Sequence, residues 1–453
     1  MNDQPKICYP SLDLFLYHLK DALGEGPEKI QENHDLFWQN LPPEITVSLE
    51  KEAEAEDSQY FNLLEKKYYP LKSEPINNYK IGGYYYPVLL NDAYGLLLDC
   101  CVDDEYSAAP VESFSTLKTV IGEKQGDLGK VWMISGYSDS EKITTEEIAK
   151  VAYKNVMGKE SQRIEIGKFM EADVFEFWQF PQPQSWRSIL ENKENKETKI
   201  DNSPVIAIIY PDKATMDKNS EFYPTWLQLF CSRQKIFWAY SQCRQHSKNL
   251  QKKLSWINQT IKTIDKLDWS ELKYSLKLCA DYVILLEQMK IDNSAIADNL
   301  ANYQNQLNNI VERASQEGKT DLKFLEQFSA EVGKYQHQNQ QDISKFQDSL
   351  SILETLQETV KSLVEIKQAE SDRQFQKNIE IVGFGIGLAS IVASSSSAYI
   401  GAIEEIPPVQ KYLNFWQLNQ QQSSLVVAVN ASTCTGAIAS FIIALFLRRK
   451  QKS

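Results

Sequence analysis

From Pro224 onward, apolar residues recur at helical spacing. Leu250, Leu254, Ile257, Ile261 and Ile264 are separated by four, three, four and three positions, the seam of a heptad helix. Asp268, Trp269 and Ser270 break the pattern, and Ile296, Leu300, Tyr303, Leu307 and Ile310 then repeat it. Gly318 interrupts again, with Thr320 and Asp321 as candidate caps. A third run holds Leu325, Phe328, Val332 and Tyr335, a polar patch QHQNQQD, then Ile343, Phe346, Leu350, Leu353, Val360 and Leu363. No proline stops it, so one helix is predicted from about 321 to 400, on the order of 120 Å long. A helix of that length needs partners: the two helices before it, other copies of the chain, or both.

Two uncharged runs follow, 381–403 and 423–447. About 20 apolar residues cross a bilayer core, so each is expected to be a transmembrane helix. Arg448, Arg449 and Lys450 follow the second run, and Lys361, Lys367, Arg373 and Lys377 precede the first. The connecting stretch 404–422 carries only Lys411. This asymmetry places the loop outside and both termini in the cytoplasm, as in a multi-pass protein of the inner (plasma) membrane facing the lipid bilayer. Gly383 and Gly387 share one helix face and suit close helix packing rather than phosphate binding. Ser390, Ser394 and Ser397 also face one way, and their hydroxyls suit either a wet pore or a helix–helix contact.

Residues before about 220 have a different rhythm. Gly95–Val102, Val131–Ser135, Val174–Phe180 and Val205–Tyr210 read as strands, and helices are expected near 11–23, 112–121 and 144–156. The expected fold is therefore an α/β cytoplasmic head followed by long antiparallel coiled-coil helices and a two-helix transmembrane region. The predicted boundaries are 1–223 for the head, 224–377 for the stalk, 378–403 and 423–447 for the spans, 404–422 for the loop and 448–453 for a basic tail.

Composition narrows the chemistry. The net charge of −13 over 453 residues argues against a nucleic-acid partner. Seven scattered cysteines form no CxxC pair, which fits a reducing compartment. The first twenty residues carry charges within their apolar stretch and no cleavage pattern, so no signal peptide is expected. His18, His34, His246 and His337 lack metal-ligand spacing. No phosphate loop, nucleophile elbow or zinc-protease motif occurs, and an enzyme is not expected. Asp99, Asp103, Asp104 and Glu105 cluster at a strand end; such oxygens suit Mg²⁺ or another divalent cation, or simply a solvated strand end.

A head, two antiparallel helices, a very long helix entering a first span, and a second span ending LFLRRKQKS together resemble the CorA-type magnesium transporter family. The resemblance implies a homo-oligomer, a pentamer, with a pore lined by the first span. The family's Gly-Met-Asn signature falls where this chain reads Tyr399, Ile400, Gly401, Ala402, Ile403, Glu404, Glu405, Ile406, Pro407. Gly401 has a counterpart there; Met and Asn do not. Glu404 and Glu405 would form an acidic ring in an oligomer, attracting cations with altered selectivity. Two functions are thus expected: a CorA-like cation channel, or a membrane-anchored sensor or effector whose head binds a ligand or protein.

Overall fold

The computed structural model describes residues 5–20, 27–45, 59–72, 75–76, 79–104, 107–138, 143–178, 203–264 and 268–366. The strands are β1 (Lys6–Leu19), β2 (Phe61–Asn62), β3 (Tyr69–Pro70), β4 (Ile81–Leu90), β5 (Ala93–Val102), β6 (Ala108–Pro110), β7 (Gly129–Tyr137), β8 (Arg163–Phe169), β9 (Ala172–Trp178) and β10 (Val205–Tyr210). The helices are α1 (Pro27–Trp38), α2 (Ser113–Ile121), α3 (Thr145–Met157), α4 (Lys213–Lys218), α5 (Tyr223–Thr263), α6 (Trp269–Glu317), α7 (Lys323–Asp348) and α8 (Leu350–Ile366).

The described residues fall into two compact units. The first runs up to Ser241 and includes Ile296–Gly333; the second holds Gln242–Ala295 and the described residues from Lys334 on. In the first unit the strands form one mixed sheet, ordered β2-β4-β5-β1-β7-β10-β9-β8, with β3 on β4 and β6 on β1. β7 and β10 run parallel. The β4–β5 hairpin closes in two residues, and Asn91 supplies the positive φ of 60° that such a turn needs.

Alternation divides the sheet. Leu12, Leu14 and Leu16 of β1, Leu96 and Leu98 of β5, and Trp132 and Ile134 of β7 join a core with Phe114 of α2 and Tyr153 of α3. The intervening residues face α5. Phe15 meets Phe230 edge to face at 5.1 Å, and the Tyr17 hydroxyl donates to the Leu227 carbonyl at 2.9 Å. A Cβ on Gly95 would lie 2.8 Å from Leu227 Cδ2, so glycine lets this helix approach the sheet. Because both sheet faces are covered, the central strands are apolar on both sides. That corrects the helix expected near 11–23: residues up to Leu19 are strand β1, a mostly apolar strand buried on both faces.

In the second unit the heptad residues Leu250, Ile257, Ile264, Leu353 and Val360 are buried within one chain, while Leu254, Ile261 and Leu363 are half-buried. The Tyr282 hydroxyl donates to the Phe346 carbonyl at 3.0 Å. The single helix expected from about 321 is divided at Ser349 into α7 and α8. There the Ser349 and Ser351 hydroxyls donate to the carbonyls of Lys345 and Asp348, a local competition that favours breaks in helices.

The expected fold class needs correction. Among the described residues, no helix is long and apolar enough to cross a membrane. Their architecture is a ten-stranded mixed sheet with helices. The long helices bury one stripe and charge the rest, as the 41-residue α5 shows with Lys235, Arg244, Lys248, Lys252, Lys253 and Lys262. The transmembrane, ion-transport and multi-pass inner-membrane expectations are therefore not supported by the architecture. The residues they rested on, 378–453, lie outside the described residues.

Candidate functional site: a buried carboxyl pair

The polar residues buried on the α5 side of the sheet converge on β1 and β5. Asp13 and Asp99 stand directly opposite each other in register, so their side chains share one face. Asp13 is fully buried and Asp99 nearly so. The Ser11 hydroxyl donates to Asp99 Oδ2 at 3.0 Å. The Tyr223 hydroxyl, from the first residue of α5, donates to Asp13 Oδ2 at 2.8 Å. No donor reaches Asp13 Oδ1, and the buried Ser135 Oγ and Tyr210 hydroxyl also lack a hydrogen-bond partner.

The backbone around the pair is irregular. The β1 register shifts between Cys8 and Ser11, and Tyr9 there has a φ of 48°. A left-handed tyrosine costs roughly 1–2 kcal/mol, and bulges of this kind re-aim side chains. Its hydroxyl accepts a weak hydrogen bond from Cys101 Sγ at 3.5 Å. On β4, Tyr84 lies opposite Asp99, next to Gly83 with a φ of 144°. A Cβ on Gly83 would sit 2.1 Å from the Asp99 carbonyl oxygen. Gly83→Ala is therefore expected to destabilise the first unit by about 2 kcal/mol, read as a lower midpoint in urea.

Electrostatics favour a shared proton. Burial pushes the Asp13 carboxyl far above its usual range; the Asp99 charge and the hydrogen bond between the two carboxyls push it further, against the pull of Tyr223. Burial raises Asp99 too, opposed by its bonds to Asp13 and Ser11. The pair therefore titrates as a unit. Burial, then the Asp99 charge, moves the nearby Cys101 thiol up to about 12. Tyr84, Tyr210 and Tyr223 are raised as well, first by burial.

No family model, curated protein or solved structure matches this chain.

The residues predicted from the sequence are dispersed. Asp99 faces Asp13, whereas Asp103 pairs with Lys80 at the surface and Asp104 accepts from the Ser107 amide. Among the described residues no group of three or more His, Cys, Asp or Glu side chains is placed to hold a metal ion. Glu105 lies outside the described residues, as do Gly383, Gly387, Ser390, Ser394, Ser397, Gly401, Glu404 and Glu405. Sequence reasoning missed Asp13, Ser11 and Tyr223. The available signal was a lone charge inside SLDLFLYHL.

A second buried polar contact lies on the same sheet face. Arg233 Nη1 of α5 is 2.5 Å from Glu176 Oε1 of β9, with both side chains almost wholly buried. The guanidinium lies 4.8 Å from the Trp178 ring centre and 4.9 Å from that of Phe328, within cation–π range.

Proposed function

We propose that this chain is a sensor or effector whose first unit detects a ligand at the Asp13–Asp99 pair and whose helix α5 reports the bound state. The carrying observation is the Tyr223–Asp13 hydrogen bond, which joins the first residue of α5 to the pair. The ligand must bring positive charge, because two buried carboxylates cannot both ionise without a large cost; a proton is the simplest. With a proton on the pair, Asp13 and Asp99 hold each other and Tyr223 caps Asp13. With the proton gone, like charges face each other directly beneath the start of α5. Helix α5 is 41 residues long, and its later turns belong to the second unit, so a change at Tyr223 has a covalent route onward.

Hydrogen exchange tests this reading. Amides in the first turns of α5 are expected to lose protection as pH rises, and Asp13→Asn is expected to remove that dependence. An asparagine can still donate to Asp99 and accept from Tyr223 while carrying no charge. Equal pH profiles in the two proteins would sink the proposal.

A further inference from the structure

The second unit contains a polar layer where its seam should be apolar. Continuing the spacing of Leu325, Phe328, Val332 and Tyr335 puts Asn339 and Asp342 on the seam, followed by Phe346. Both lie within the QHQNQQD patch. Asn339 is fully buried, and neither its Nδ2 nor its Oδ1 has a hydrogen-bond partner. One turn on, Asp342 Oδ2 accepts from Arg244 Nη1 at 2.5 Å and from Ser247 Oγ at 3.2 Å. This sets the 339–342 turn of α7 against the 244–247 turn of α5. Within that turn of α5, His246 Nε2 lies 3.3 Å from Asp292 Oδ2 of α6. Cys243 Sγ donates to the Met289 carbonyl, also on α6, at 3.5 Å.

α5, α6 and α7 thus each carry unsatisfied buried polar atoms within about one turn of these contacts. Besides Asn339, His246 Nδ1 and Asn293 Oδ1 lack a hydrogen-bond partner. A buried polar atom left bare is costly. The balance is one-sided. If His246 Nε2 donates its proton to Asp292 Oδ2, then His246 Nδ1 and both asparagine oxygens are the unsatisfied acceptors, and Asn339 Nδ2 is the one donor. The charge balance is one-sided as well. Asp342 is offset by Arg244; with His246 neutral, the carboxyl left without a balancing cation is Asp292, which burial pushes toward its neutral form and a bound cation would hold ionised. A single carboxylate with neutral oxygen donors matches a monovalent cation. Ca²⁺ and Mg²⁺ sites draw on more carboxylates, more waters, or both.

We propose that the layer formed by His246 of α5, Asp292 and Asn293 of α6 and Asn339 of α7 binds a monovalent cation of the sodium–potassium class. The site lies apart from the Asp13–Asp99 pair, and each can fail alone.

The test uses the full chain. Thermal unfolding is followed in potassium, sodium and choline chloride at equal ionic strength. Potassium or sodium is expected to raise the midpoint by about 2–4 °C over choline. Asp292→Asn and Asn339→Leu are expected to remove that difference. Asn339→Leu should fold, since an apolar residue suits a seam position. Thallium(I) soaked into crystals of the unaltered protein provides a second measurement, with an anomalous peak expected between these side chains. Equal midpoints in the three salts with no thallium peak would overturn the proposal. So would an ion-specific shift that both variants retain.

Discussion

Arg233→Ala is expected to lower the unfolding free energy of the first unit by about 3–5 kcal/mol. The guanidinium it removes is buried against Glu176 and lies between aromatic rings. Without it, Glu176 keeps a carboxylate far from water and the space beside Trp178 and Phe328 is empty. Burial already pushes Glu176 upward, and Arg233 is what opposes that shift. A double replacement, Arg233→Met with Glu176→Leu, is expected to recover most of the loss, because neither charge is then left unpaired. Denaturant unfolding monitored by tryptophan fluorescence measures both variants. A single replacement as mild as the double one would show that the pair contributes little.

Asp13→Asn is expected to act in the opposite direction at neutral pH, stabilising by about 1–3 kcal/mol. The sign follows from the raised Asp13 and Asp99 carboxyls. The folded protein holds the pair's proton more tightly than the unfolded chain, whose carboxyls titrate near 3.8. Stability conferred by that proton is therefore complete below 3.8 and declines as pH rises toward the folded value. The decline reaches up to about 1.4 kcal/mol per pH unit for one proton. The asparagine of the variant carries no proton to lose, so its curve should be flatter across this window. Urea unfolding at a series of pH values reads both effects, and parallel curves would contradict the shared proton.

Much of the local structure was legible in the chain. The strand expected at Val205–Tyr210 is β10, and the helices expected near 112–121 and 144–156 are α2 and α3. α3 also carries a sequence signal for its start: Thr144 and Glu147 form a reciprocal capping box. The heptad residues Leu250, Ile257, Tyr303 and Ile310 are buried, since a seam records which side of a helix meets its neighbours. β1 reads as a helix in the chain because burial on both faces erases the two-residue period that marks a strand.

The candidate site was legible only in part. Asp99 drew notice through its acidic neighbours, yet Asp103 and Asp104 have other partners. Its actual companion, Asp13, lies 86 positions away in the chain and joins it through β1–β5 register. The sequence by itself determined where the chain forms helices with apolar seams, where much of the strand material lies, and that its net charge is strongly negative. These follow from periodicity and composition, which are local or summed quantities. Tertiary structure alone decided that two aspartates would share a buried face, that Arg233 would meet Glu176, and that Asn339 would lie unpartnered in a helix seam. Strand register and helix packing set those meetings, and the energy of a buried charge or amide depends on what stands opposite it.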